Sequence, residues 1–553
     1  MGRADLDAVR RAITTDEQRH VLIRAGKPDW QQTQGAFTTD EMLAVERANL
    51  AMVQAGIDQA QPMAEAEDIR AWAAAKGLSA DQIDAAELTL TSASWATAIE
   101  GLAGTAKTTT VGAIREFAQQ QGFTVRGFGM TSGSVKALQE AQIAARTIAS
   151  LMANPLPSPA GPELWIVDES SLLATRPVNQ ILNAARQQGI ERLVFVGDQR
   201  QHHAIEAGAP LRQFLAANMA VAELSVIRRQ RDPELKRAVE LAAKGKPGDA
   251  LDLLQQRQRV SEIPETTARY QKIAATYLQA HESGQTTLVV SPGNDERRAL
   301  NQAIRDLLVS YGHVASQGRE HAILVARDLT QAQMHYARNY TEGDVIHFSR
   351  AHPRAGIGKD SYLTVAAVNR TGNTLTLRNG NGEQLEMSPA RWKGVQVYNW
   401  EQRLLAAGDR LQFRIHDKKH KVANGEFATI TELDRKQVKL RFDNKRELAL
   451  PFAQFRHVDY GYASTSHAAQ GATVDRVIVN ADSMRNAQLV NRKQFYVSIS
   501  RARHDAQVYT DDLEVLRRAV AREPRKAVAL ETVKPARPTT ELRQQQTSFN
   551  IKI

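Results

Sequence analysis

Gly101-Leu102-Ala103-Gly104-Thr105-Ala106-Lys107-Thr108 follows one apolar run, and further along Leu164-Trp165-Ile166-Val167 ends in Asp168-Glu169. These two segments, in this order, restrict the fold to a parallel sheet with phosphate-binding chemistry at its strand ends. The first has the outline G-x-x-x-x-G-K-[ST], in which backbone N–H groups at a helix N-terminus cradle phosphates. One position departs: Ala106 stands where the second glycine is usual. Its methyl group lies where backbone approaches phosphate closely, and the consequence depends on the local φ. Gly101, Gly104, Thr105, Ala106 and Thr109 are expected to line an ATP site. Lys107 is expected to reach the β- and γ-phosphates, and Thr108 to ligate Mg²⁺ together with Asp168. Glu169 is placed to orient the attacking water.

Around these segments the pattern alternates strand and helix. Ala96–Ile99, Thr124–Met130, Leu164–Val167 and Leu193–Val196 read as strands, which implies an α/β domain over residues 81–225. A second α/β domain starts near 226, with a strand at Thr287–Ser291 and a helix over Asp295–Leu307. The rhythm stops at 311 and resumes at 459 with Ala463-Ser464-Thr465, Val477–Val479, Tyr496–Ile499 and Ala506–Tyr509 as strands. Residues 311–458 are therefore an insertion within that domain. It carries a degenerate repeat: Gly343–Arg350, Tyr362–Val368 and Thr374–Leu377 correspond to Gly408–Arg414, Glu426–Thr431 and Gln437–Phe442. Alternating apolar residues broken by Gly372-Asn373 and Asn424-Gly425 predict two small antiparallel barrels of SH3-like size. Residues 1–80 read as a small helical region, in which Thr38-Thr39-Asp40-Glu41 followed by Met42–Glu46 looks like an N-capped helix. Residues 516–553 read as a basic helix running into a flexible tail.

The chain has 553 residues, too many for one core. Lys plus Arg number 71 against 61 Asp plus Glu, a surplus that fits a polyanionic partner. Cysteine is absent, which excludes disulfides, thiolate zinc sites and thiol catalysis. No apolar run is long enough for a transmembrane helix and no signal-peptide core is present, so no membrane insertion and a cytoplasmic location are expected.

Four more constellations fall in a telling order. Gly197–Gln201 ends a strand, and the Gln201 amide suits sensing of a γ-phosphate. Ile227–Arg231 is a cationic knot in which Arg229 could stabilise charge on a transferring phosphoryl group. Tyr460–Gly471 reads as a strand, turn and helix. There Thr465, Ser466 and His467 could contact single-strand phosphates and Gln470-Gly471 could lie near ATP. Tyr496–Arg503 reads as a strand ending in Arg501, a cation from the second α/β domain aimed at ATP on the first. Lys418-Lys419-His420-Lys421 is either a nucleic-acid contact or a solvated charge run.

This ordered set resembles the motifs of superfamily 1 helicases of the 5′→3′, RecD-like subgroup. Leu78–Gln82 resembles an adenine-reading element, with Gln82 as the reader. Thr131–Leu138 resembles a DNA-contacting element, with Thr131 and Ser132 on phosphate. Gly101–Thr110, Trp165–Ser171, Ala468–Thr473, Tyr496–Asp511, Asn294–Arg298 and the insertion resemble the helicase half of TraI/TrwC-type conjugative relaxases. The resemblance implies two RecA-like P-loop domains in tandem, the second interrupted by the all-β insertion. It implies ATP and Mg²⁺ as cofactors and single-stranded DNA as partner. A monomeric motor working with the relaxosome and the conjugative secretion machinery is the implied setting. The nicking domain of that family, with catalytic tyrosines and three metal-binding histidines, has no counterpart here; His20 is solitary and His202-His203 follows Gln201. Two alternatives stand beside this reading. One is a RecD-like repair helicase, and the other is a non-catalytic single-stranded-DNA-binding module with a degenerate ATP site.

Overall fold

The computed structural model describes residues 23–25 and 36–532, apart from 328, 393, 418, 453, 454 and 525. The expected tail beyond 532, the first 22 residues, His20 and Lys418 lie outside the described residues. The chain divides into two compact units, one of residues 1–264 with 469–553 and the other of residues 265–468.

The first unit is built on a six-stranded sheet. In spatial order its strands are Ala144–Thr147, Thr124–Gly129, Glu163–Val167, Arg192–Gly197, Ala96–Gly101 and Val221–Leu224. Every neighbouring pair is parallel. Leu164 to Val167 and Leu193 to Val196 are buried on both faces. That is why they read as unbroken apolar runs rather than alternating ones. Two apolar clusters cover the sheet. Phe128, Trp165, Val167, Leu193 and Phe195 belong to one, and Ile99, Ile114, Ile166, Val194 and Val196 to the other. The helices before residue 92 contribute to these same clusters through Val53, Ile69, Ala85 and Leu90. The N-terminal region therefore packs as part of the sheet's core instead of standing alone. It also holds a short antiparallel pair, Ile23–Ala25 with Ala36–Thr38, hidden by its helix-forming composition.

Later in this unit Val474–Ala481 pairs in parallel with Ala502–Thr510, which pairs in parallel with Val260–Glu262. Tyr496–Ile499 is not a strand. It belongs to the helix Arg492–Ile499, capped by the Asn491 side chain accepting from the Gln494 N–H at 3.1 Å. Every residue from Lys493 to Ile499 is buried, so neither helical nor strand periodicity shows in the sequence.

The second unit holds the helices Thr266–Glu282 and Asn294–Ser310 and the parallel pair Thr287–Ser291 with Ala463–Thr465. No helix follows that last strand; residues 466–471 are turns. The insertion forms two antiparallel sheets, of six and five strands. They share one hydrogen-bond frame, displaced by 65 positions (408 − 343, 430 − 365). Gly343 N–H donates to Val365 O at 2.9 Å, and Gly408 N–H to Ile430 O at 2.8 Å. Strand pairing shifts register after Val365 and after Ile430. Each glycine sits at φ near +90° and precedes a buried aspartate, Asp344 or Asp409. The Asp344 carboxylate accepts from Thr341 N–H at 2.9 Å, and that of Asp409 from Ala406 N–H at 2.8 Å. Each also takes an arginine, Arg327 or Arg305. The Gly-Asp pairs are thus the bends that start both meanders.

Asp409 is fully buried; Arg305 holds it in a two-pronged contact at 2.8 and 3.1 Å, and the Tyr462 hydroxyl donates at 2.9 Å. Burial pushes the Asp409 carboxyl up, and the guanidinium opposes that shift. Removing Arg305 strands a buried charge. Arg305→Ala is expected to cost about 3 kcal/mol or more in urea unfolding. A loss under about 1 kcal/mol would show that the pair carries no such weight.

Candidate nucleotide site

The loop between the strand Ala96–Gly101 and the helix Lys107–Gln120 is shaped by its small residues. Gly104 sits at φ +86°, and a Cβ there would stand 2.6 Å from Arg229 Cβ. A Cβ at Gly101 would meet Thr105 Oγ1 at 2.8 Å and Lys107 Cγ at 2.9 Å. Ala106 adopts φ 60°, ψ 40°, the left-handed region. The glycine usual at this place would take that conformation freely, whereas an L-residue is strained there by about 1–2 kcal/mol. Thr105 is fully buried and its hydroxyl donates to Leu102 O at 2.9 Å. Lys107 Nζ donates to Gly101 O at 2.6 Å and to Leu102 O at 3.2 Å, inside the loop's mouth. Thr108 and Thr109 are exposed on the first turn of the helix.

Gln82, the expected adenine reader, is bonded within the fold. It is buried, its oxygen accepts from the Ser79 N–H and hydroxyl as a capping box, and its nitrogen donates to Thr110 Oγ1 at 3.1 Å. Both ends of the amide are engaged in tying the helix Ala80–Thr91 to the loop's helix.

Asp168 N–H donates to Phe128 O at 2.9 Å at the end of the strand Glu163–Val167. Burial first, and the adjacent Glu169 charge second, push the Asp168 carboxyl up to about 7; Lys107 opposes them. Glu169 takes φ 50°, a second strained non-glycine residue. Two crowded carboxylates facing one lysine are an excess of negative charge that a divalent cation relieves. A threonine hydroxyl and carboxylate oxygens suit Mg²⁺, which takes few protein ligands beside phosphate and water. Among the described residues, no three His, Cys, Asp or Glu side chains cluster as a metal cage.

Gln470, Arg229 and Arg501 gather about Glu169 and the phosphate loop. Gln470 Nε2 donates to Glu169 Oε2 at 3.2 Å. Gly471 takes φ +86° and is exposed. Gln201 is 3 % exposed, donates to Asp198 Oδ2 at 3.0 Å, and keeps Oε1 without a protein partner. Arg228 and Arg229 N–H groups both donate to Gly104 O, at 2.8 and 3.2 Å. The Arg229 guanidinium donates to Ser500 O at 2.9 Å. Arg501 is 2 % exposed and donates to Val497 O at 3.1 Å and Ser500 Oγ at 3.2 Å. It is not turned to solvent. Burial, and then repulsion from Arg501, push Arg229 down to about 9. Burial lowers Arg501 too, while Glu169, Tyr496 and Asp198 oppose that shift. Two guanidiniums and a lysine thus stand near two carboxylates, in surroundings suited to a polyanion.

Sequence reasoning assigned nothing to Asp198, Tyr496 or Gln230. The buried Tyr496 hydroxyl accepts from Ala103 N–H at 2.7 Å and donates to Asp198 Oδ2 at 3.0 Å. Gln230 Nε2 donates to Ser500 O at 3.0 Å and Ala502 O at 2.7 Å. An aspartate directly after the apolar run Leu193–Val196-Gly197 was the available signal for Asp198. Nothing in the sequence singles out the other two.

Thr131 caps the helix Ser132–Glu140, its hydroxyl accepting from Ser134 N–H at 3.1 Å, and Ser132 opens that helix. Thr465, Ser466 and His467 belong to the second unit; Ser466 is buried and His467 exposed.

Three family models match along the chain. They are an AAA domain over residues 77–265, a DNA relaxase TraI 2B/2B-like domain over 327–405, and a UvrD-like helicase C-terminal domain over 460–509. The multifunctional conjugation protein TraI of Escherichia coli is 25% identical over 516 residues, 82% of this chain and 28% of that protein. The conjugal transfer protein TraA of Rhizobium radiobacter is 26% identical over 421 residues, 74% of this chain and 30% of that protein. Together these matches liken the chain to the helicase region of TraI-type conjugation proteins. It spans less than a third of the length of these curated relatives. Among solved structures, a Pif1 helicase from Candida albicans aligns over 86% of this chain and 99% of its own, at 13% identity and a TM-score of 0.41. No helix among the described residues is long and apolar enough to cross a membrane.

The left-handed Ala106 gives a test of the loop. Ala106→Gly is expected to leave stability unchanged or raise it by up to about 1 kcal/mol and to keep nucleotide binding. Ala106→Val, β-branched at φ 60°, is expected to cost about 2 kcal/mol and weaken nucleotide binding. Thermal melts and fluorescent-nucleotide titration read both effects, and equal behaviour of the two variants would contradict this loop geometry.

Proposed function

We propose that this chain is an ATP-driven motor that translocates along single-stranded DNA and unwinds duplex, running 5′→3′, within a conjugative DNA-transfer protein. The observation that carries the reading is the convergence of Gln470, Arg229 and Arg501 on Glu169, next to Asp168, whose charge Lys107 opposes. A kinase or transport ATPase has no need of a second cation delivered from the segment behind Gln470. The basic surplus of the chain suits a DNA partner. The polarity and the conjugative setting rest on the resemblance and on the names of the relatives alone.

In this reading Lys107 and the N–H groups opening its helix hold the β- and γ-phosphates of ATP. Thr108 and Asp168 would hold Mg²⁺, which when bound supplies positive charge between the phosphate oxygens. Glu169 accepts the proton of the attacking water, held in place by Gln470. Gln201 turns its unpartnered oxygen or its amide N–H to the same water or to phosphate. Arg229 and Arg501 neutralise charge that grows on the phosphoryl oxygens, an effect worth about 10³-fold or more in related chemistry. Thr131, Ser132, Thr465, Ser466 and His467 contact the DNA backbone. Gln82 acts as a positioning residue for the loop's helix. The motor works as a monomer in the cytoplasm, beside the relaxosome and the conjugative secretion machinery.

The test is unwinding of tailed duplexes of both polarities, with phosphate release measured alongside. The wild type is expected to unwind only the 5′-tailed substrate, and Lys107→Ala to lose turnover by at least ~100-fold while keeping DNA binding. Unwinding that survives Lys107→Ala refutes the motor, and unwinding of 3′-tailed duplex alone refutes the polarity.

A further inference from the structure

The chain that carries Arg501 does not end at its strand. It continues through the helix Leu513–Ala521 and then lies back as a strap, residues 526–532, against the helices Asp40–Gln54 and Pro210–Ala216 and the loop that follows Gln201. Three attachments fix the strap. Lys526 Nζ donates to Ala204 O at 2.7 Å and also to Glu206 O, both in the loop that follows Gln201. Glu46, a carboxylate 1 % exposed, accepts from Ala529 N–H at 3.2 Å and Leu530 N–H at 3.0 Å, and from Gln213 Nε2 at 3.1 Å. Arg212 pairs with Glu531 at 2.8 Å. Between them Val528 is buried. A carboxylate taken so far out of water is held by the donors it receives, two of them from the strap itself. The same loop is gripped at its other end by Lys493, whose ammonium donates to Gln199 O.

The loop 199–206 is thus held at both ends through its carbonyl oxygens. Both lysines come from the segment that also supplies Tyr496 and Arg501. The Gln201 side chain sits between them, oriented through Asp198. A carbonyl-to-ammonium clamp fixes where a backbone lies without touching the nucleotide. We propose that Lys526 is a positioning residue for Gln201, and that the strap transmits the position of the Arg501 segment to that glutamine. The proposal rests on the ATPase reading above. It adds a device outside the nucleotide loop: chemistry proceeds at its full rate only while the strap is seated.

The test uses the full chain with single-stranded DNA as activator and phosphate release as readout. Lys526→Ala is expected to lower kcat about 10-fold, in line with the cost of misplacing a catalytic group, with KM for ATP within about twofold. Lys526→Arg, which keeps a donor cation, is expected to recover most of that loss. Glu531→Arg, at an exposed position, sets two arginines face to face and loosens the strap without opening the core; a fall in kcat of about threefold is expected. A merely structural strap would lower the melting temperature and the active fraction while leaving kcat per active site unchanged. Wild-type kcat in folded Lys526→Ala and Glu531→Arg overturns the proposal. So does a KM that rises as kcat falls. If the wild type itself shows no Lys107-dependent hydrolysis, the ATPase reading fails and the strap is not at issue.

Discussion

The hydroxyl of Tyr496 is the interaction on which the rest of the site depends. One buried oxygen accepts the Ala103 N–H of the phosphate loop and donates to Asp198, which in turn orients Gln201. Burial keeps this phenol protonated, well above its ordinary titration range. Its helix ends at Ser500, whose carbonyl receives Arg229 and Gln230, and leads directly into Arg501. The phosphate loop and Gln201 are therefore tied through one side chain, and both arginines are bonded to the end of its helix. In a water-poor setting such a network is strong when complete and costly when one member is lost.

Strain and charge are concentrated at the same place. Ala106 and Glu169 both hold left-handed backbone, one beside the loop lysine and one beside the paired carboxylates. Asp168 is pushed toward protonation by burial and by Glu169. Arg229 and Arg501 repel one another inside the fold. None of these features favours the folded chain by itself. A bound polyanion with its cation would relieve the crowded charges, while the backbone strain is held by the surrounding fold, a pattern that clusters at functional sites.

Much of this was legible beforehand. Unbroken apolar runs such as Leu164–Val167 identify strands buried on both faces, and Gly101–Thr108 identifies the turn between strand and helix. The matched segments starting at Gly343 and Gly408 announced two related meanders; that each Gly-Asp pair is a bend, a left-handed glycine followed by a capping aspartate, is visible only in the structure. What stayed hidden was set by tertiary contact. Tyr496–Ile499 looked like a strand because its helix is buried all round, so no face is polar. Gln82 looked free to read a base, but its capping box and Thr110 occupy it. The roles of Tyr496, Gln230 and Lys526 depend on partners more than 200 residues away, a separation that no short motif encodes.

Two buried cations, Arg229 and Arg501, stand at the centre of the proposed mechanism. Its most direct test is single-turnover hydrolysis of ATP on single-stranded DNA by Arg501→Ala, beside direct measurement of nucleotide binding. The arrangement predicts near-normal nucleotide affinity with hydrolysis slowed by about 10³-fold. Hydrolysis at the wild-type rate in that variant would contradict it.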